Sequence, residues 1–184
     1  MLDLRDEKEQ DGLWYVIQVI SGTEEDTMEM LRRQISKELL QKCFVYYYEN
    51  MRKYAGEWHK QKKLLFPGYV FVITGQVDSL YLELKKVKTL TKILGDKDCF
   101  IPLSEGEVEF LRGFGGEEQL VGMSVGFIEN DKVTITSGPL AGKEGCIRKI
   151  DRHKRTAKIQ VEMFGQVIDA TVGLEIVRKT IVDN

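Results

Sequence analysis

The sequence is most informative first in what it lacks. No apolar run reaches the roughly 18 residues a membrane-spanning helix requires. The longest stretch, Leu64–Ile73, is interrupted by Pro67-Gly68. The first residues, MLDLRDEKEQDG, are charged and have no apolar core, so no secretory signal is expected. Cysteine is sparse: Cys43, Cys99 and Cys146 are far apart, odd in number and never spaced CxxC. With two histidines in the chain, this argues against a zinc site. Reduced thiols in a cytoplasmic protein account for them most simply. Catalytic signatures are also missing: there is no GxSxG, HExxH, Walker A or GxGxxG. The glycine-rich SGPLAGKEG, residues 137–145, lacks Walker A spacing and sits between two expected strands, so it is not expected to cradle a nucleotide. His59 stands beside Lys60 with no acid–base partner. The expectation is a protein that is not an enzyme and carries no cofactor and no metal.

What is present is ordinary in amount and uneven in place. Apolar residues make up 42% of the 184, typical of a globular chain. The formal net charge is −2. Residues 1–129 hold 17 Lys and Arg against 22 Asp and Glu, whereas residues 130–179 hold 10 against 6. A basic segment on an acidic chain fits a local polyanion site. A solvated basic surface fits it equally.

Residues 1–12 read as a flexible tail. Leu13–Ile20 reads as a strand, then a helix from the cap Thr23 to about Gln41, with Met28, Leu31, Ile35 and Leu39 at helical spacing. Cys43–Tyr48 is a second strand, residues 49–56 an excursion, and Glu57–Leu65 a third strand, basic on its open side. FPGYVFV, residues 66–72, turns at Pro67-Gly68 and continues as a strand with two faces to fill. A helix over Asp78–Val87, a short strand over Leu90–Leu94 and a helix capped by Ser104 follow. These elements predict an α+β domain over residues 13–112, an antiparallel sheet flanked by helices. The segment GFGGEEQ is the best linker, placing a boundary at 113–120. Beyond it, short strands at Lys132–Thr136, Cys146–Ile150, Ala157–Met163, Val167–Val172 and Leu174–Val177 predict a small β-barrel over residues 121–180.

Two constellations are candidates for binding. The first is Arg152-His153-Lys154-Arg155. If its flanking strands pair, this run is a hairpin tip, with Arg148, Lys149 and Lys158 beside it. Such donors suit phosphate oxygens, guanine edges and stacking on bases. Lys132 and Lys143 extend the candidate RNA-binding set, although in a simple meander the loop of Lys143 falls at the opposite end of the barrel. The second constellation is aromatic: Trp14 and Tyr15 on the first strand, Tyr69 and Phe71 on one face of the FPGYVFV strand. At a sheet edge it would dock a partner helix; inside the domain it would be core.

WYVIQVISGTE, FPGYVFV, VTITSGPLAGKEGCI and IQVEMFG, in this order, resemble the NusG family of transcription elongation factors. The resemblance covers nearly the whole chain beyond the tail and implies an NGN α/β sandwich followed by a five-stranded KOW β-barrel. SVGFIEND, GPLAGKEG and IDRHKRTAKI bring it nearer to the specialised LoaP type of antiterminator. By this resemblance the first domain binds the clamp helices of the RNA polymerase largest subunit through Trp14, Tyr15, Phe66, Pro67, Gly68, Tyr69 and Phe71. It also bridges the DNA cleft, with non-template DNA a further partner. The second domain would bind an RNA hairpin in the nascent transcript. Phe164-Gly165 matches the family's turn for ribosome or Rho contacts, but Gln166 stands where general NusG has Arg, which places those contacts in question. A monomer away from membranes is expected. The alternatives are a general NusG whose barrel binds proteins, and a ribosome-associated KOW protein. Lys158–Val177 lacks an apolar helical stripe, so a refolding of the barrel into helices is not expected.

Overall fold

The computed structural model describes residues 12–87, 92–93, 95–96 and 99–177. The expected tail lies outside these residues except for Gly12, as do 178–180 of the expected barrel. Of Leu90–Leu94 only Lys92–Ile93 is described. In chain order the elements are β1 (Leu13–Gln18), α1 (Glu24–Gln34), β2 (Lys42–Phe44), β3 (Tyr47–Tyr54), β4 (Glu57–Leu64), β5 (Tyr69–Thr74) and α2 (Val77–Lys86). Three two-residue strands follow, β6 (Lys92–Ile93), β7 (Gly95–Asp96) and β8 (Cys99–Phe100), then α3 (Glu105–Gly115). The remainder is β9 (Leu120–Val121), β10 (Ser124–Glu129), β11 (Lys132–Ser137), β12 (Ile147–Asp151), β13 (Thr156–Met163) and β14 (Gln166–Ile176). These elements form two compact units. The described residues of the first fall within Met1–Phe44 and Gly68–Leu103, those of the second within Val45–Pro67 and Ser104–Asn184.

The first unit is built on an antiparallel sheet ordered β2-β5-β1-β6, with the FPGYVFV strand inside it. Both faces of β5 are covered as well as both its edges, since the successive residues Val70, Phe71 and Val72 are all 0% exposed. Burying each such side chain contributes roughly 1.5–3 kcal/mol. Helix α1 is shorter than its apolar spacing suggests. It stops at Gln34 because Ile35 turns extended, and Ser36 then accepts the N–H groups of Leu39 and Leu40 in a separate turn. Of the residues at helical spacing, Ile35 is still buried just beyond the helix, Leu39 is half-buried, and Leu40 beside it is buried. Thr23 occupies the N-cap position, but its hydroxyl donates back to Ile20 O at 2.7 Å instead of capping.

In the second unit, β3 and β4 form one long hairpin turning at Ala55-Gly56. The excursion expected over 49–56 is therefore mostly strand. The β2 and β3 residues read as a single strand split at Val45-Tyr46, since β2 joins the first sheet and β3 the second. Ser104 and Glu107 make the expected cap of α3 reciprocally, the Glu107 N–H reaching Ser104 Oγ at 3.3 Å and Glu107 Oε2 accepting the Ser104 N–H at 2.7 Å. The helix runs on through Gly113–Gly115 because Leu111 and Phe114 are buried on its inner side. Five strands ordered β11-β10-β14-β13-β12 form the second unit's larger sheet, with β10 and β14 parallel. The two last strands read from the sequence are one, β14, running straight through Gly173. A Cβ at Gly173 would lie 2.5 Å from the Glu49 carbonyl oxygen and collide with Met123. Glycine lets β3 approach β14 here.

Candidate functional site

The aromatic constellation is assembled by β1, β2 and β5. Val16 pairs with Phe71, Gln18 with Tyr69 and Phe44 with Phe71, which places Trp14, Phe44, Tyr69 and Phe71 on one sheet face. Trp14 meets Phe44 edge-on at 5.1 Å, and Phe44 stacks on Phe71 at 5.8 Å. Tyr15 pairs with Val72 and so faces the other side. Trp14, Tyr15 and Phe71 are buried, whereas Tyr69 is half-exposed at the start of its strand. Phe66 and Pro67 belong to the second unit, where Phe66 is buried against Tyr46 and Pro67 is exposed. Most of the residues carried over by resemblance are thus core, with Tyr69 and Pro67 the accessible ones. Phe44 was not singled out from the sequence; its alternation with Tyr46 in CFVYYY was the available signal.

A carboxylate fixes the corner that starts β5. Gly68 adopts φ +86° and its N–H donates to Glu24 Oε1 at 2.6 Å, while Gly22 N–H donates to Glu24 Oε2 at 2.8 Å. Val19 N–H reaches Gly68 O at 2.9 Å. The φ value favours glycine, since other residues enter the left-handed region at a cost. Along the chain Glu24 stands only as one of three acids in the first turn of α1, where the helix dipole favours anions.

The basic constellation forms as its sequence suggests. β12 and β13 pair antiparallel and close at Asp151 and Thr156, leaving Arg152–Arg155 as the hairpin tip. Asp151 Oδ1 accepts the Lys154 N–H at 2.9 Å, which braces the turn. That bond, together with the Lys154 ammonium and His153, holds the Asp151 carboxyl below the usual carboxylate range. Arg152, His153 and Lys154 are exposed. Arg155 is different. It adopts φ +51°, lies 4.0 Å over the Trp58 ring and pairs with Glu175 at 3.3 Å. It is a fastened cation, and Trp58 is a neighbour the linear sequence does not reveal.

The remaining candidates divide. Lys149 and Lys158 stand opposite each other on β12 and β13, both exposed. Arg148 is tied to Gln160 at 2.9 Å and to Gly145 O at 2.7 Å. Lys132 and Lys143 are associated with the turn at Glu144, whose carboxyl is held low by its own N–H and that of Ile135, with Lys132 adding a smaller pull. Among the described residues no group of His, Cys, Asp and Glu could hold a metal ion. None of their helices is long and apolar enough to cross a membrane.

The chain matches the family model described as "Transcription termination factor nusG" over residues 12–112, and the KOW motif over residues 129–162. It is 25% identical to the transcription termination/antitermination protein NusG of Rickettsia typhi over 173 residues, covering 90% of this chain and 89% of that one. The protein of the same name from Haemophilus influenzae is 28% identical over 159 residues, 83% of this chain and 86% of the relative. A solved structure on domain interaction in Thermotoga maritima NusG superposes with a TM-score of 0.53 at 23% identity, covering 89% of this chain and 94% of that one. That likeness agrees with an α/β sandwich followed by a KOW-type five-stranded sheet. A model match over more than half the chain, in the order NusG then KOW, places it among transcription factors rather than enzymes: the chain belongs to the NusG family of transcription termination and antitermination factors.

Proposed function

We propose that this protein is a processive antiterminator of LoaP type, joining RNA polymerase through residues 13–112 and a structured RNA in the nascent transcript through residues 121–180. The observation that carries the RNA half is the braced hairpin tip, where Arg152, His153 and Lys154 project into solvent from a turn fixed by Asp151. Cations on a rigid turn meet phosphate oxygens with little ordering cost. For the polymerase half, Tyr69 offers the accessible surface and Trp14 and Phe71 support it from the same sheet face. Phe66 and Pro67 enter on resemblance alone, as do the clamp helices and non-template DNA as partners.

The test uses the full chain and stem-loop RNAs drawn from transcript leaders. One leader hairpin should bind well above an unrelated hairpin, with affinity falling steeply as salt rises. Arg152→Ala should weaken binding and reduce the salt slope by about 1 without unfolding the protein. Equal affinity for every hairpin would remove the antiterminator reading. It would leave a general NusG, a reading favoured by the Phe164-Gly165 turn at the β13–β14 connection. Deletion in the host separates the two, since a housekeeping factor alters transcription broadly and an antiterminator alters a few operons.

A further inference from the structure

Two clefts in the second unit meet at a shared wall. One, of about 350 Å³, is lined by Asn50, Arg52, Trp58 and Lys63 from the β3–β4 hairpin and by His153 and Lys154 from the barrel's tip. The other, of about 480 Å³, shares Tyr48, Lys63 and Thr171 with it and continues to Lys158. Together they make a groove running away from the basic tip.

Cations outnumber carboxylates in the lining. No carboxylate lines the first cleft. The second has Asp169, whose Oδ1 already accepts a hydrogen bond from Gln160 at 2.9 Å. Such a groove attracts a polyanion. Its floor adds a second requirement. Asn50 is 7% exposed, and its Oδ1 has no hydrogen-bond donor in the protein. A buried acceptor without a donor is costly, so a ligand that brings a donor here gains more than a surface contact would. Trp58, held under the Arg155 guanidinium, is the aromatic part of the wall. The size is at the small end for a ligand site and gives room for a nucleotide unit.

We infer that RNA held at the hairpin tip continues into this groove, its phosphates meeting Arg52, Lys63 and Lys154 and a ribose hydroxyl donating to Asn50 Oδ1 once that buried amide turns into the cleft. The inference rests on the RNA reading of the tip. RNA is favoured over DNA because the 2′-hydroxyl supplies a donor at every nucleotide, whereas the DNA backbone offers only acceptors.

The experiment measures binding of the full chain to the preferred stem-loop RNA and to DNA of the same sequence, across salt. Lys63→Ala and Arg52→Ala should each weaken RNA binding by about tenfold and reduce the salt slope by about 1. Lys62→Ala removes the same charge from a neighbouring position that lines neither cleft and should leave binding unchanged. Asn50→Ala should narrow the preference for RNA over DNA, and circular dichroism checks that it folds. If Arg152→Ala weakens binding while Lys63→Ala and Arg52→Ala match Lys62→Ala, the groove is overturned and the tip remains the RNA site. Equal binding of RNA and DNA by the wild type also overturns it. Absence of RNA binding by the wild type overturns the tip reading and the groove with it.

Discussion

Burying a carboxylate without partners costs several kcal/mol, and Glu24, 1% exposed, avoids that by accepting the N–H groups of Gly22 and Gly68. Two chain segments far apart in sequence are thereby tied at one side chain. Glu24→Ala should lower stability by about 2–3 kcal/mol in urea denaturation, because both donors are left to find water. Glu24→Gln keeps one acceptor oxygen and should lose less. Equal losses for the two would mean that packing, not hydrogen bonding, holds the corner. Cys43 shows another consequence of burial. Its thiol is pushed up to about 12, against the pull of Arg32, whose guanidinium donates to the Cys43 carbonyl oxygen. It is neutral and inaccessible at physiological pH, where a thiolate would be the reactive form.

At the scale of elements, the barrel hairpin depends on Asp151. Its folded carboxyl is held below its unfolded value, so its contribution is present above the ordinary carboxylate range and is lost as pH falls through the depressed folded value. The protection factor of the Lys154 amide, its exchange rate set against the intrinsic rate at each pH, should therefore fall in acid before those of the β13–β14 amides. In Asp151→Asn that early pH-dependent step should vanish. If Lys154 and the β13–β14 amides lose protection together, the turn has no separate acid step. The same scale explains where the helices end. α1 and α3 both depart from simple spacing, α1 stopping early where Ile35 turns extended and α3 continuing because Phe114 is buried.

For the molecule as a whole, the sign of charge changes along the chain while the total stays near neutral. The surplus of 10 basic over 6 acidic residues in 130–179 predicts retention on heparin despite a net charge of −2. Arg152→Ala with Lys154→Ala should elute at distinctly lower salt than the wild type. Arg33→Ala with Lys37→Ala removes equal charge from the first unit and should elute with the wild type. Coelution of both double variants would show that total charge, not the tip, governs retention.

Local features follow from short stretches of chain. The FPGYVFV strand, the Ser104 cap and the Arg152–Arg155 turn were each legible because period-two burial, capping chemistry and turn composition are properties of neighbouring residues. What those features face depends on the folded chain. It joined Trp14 and Phe71 through Phe44 on one sheet face, set Arg155 on Trp58, and brought β4 alongside the barrel so that Lys63 and Lys158 line one groove. Gly173 looked like a strand break and is instead the point where β3 comes closest to β14, a role set by Glu49 and Met123 far away in the chain. The physical reason is the same in each case: hydrogen bonding and burial along one segment are short-ranged, whereas a binding surface is made by side chains whose proximity depends on every intervening turn.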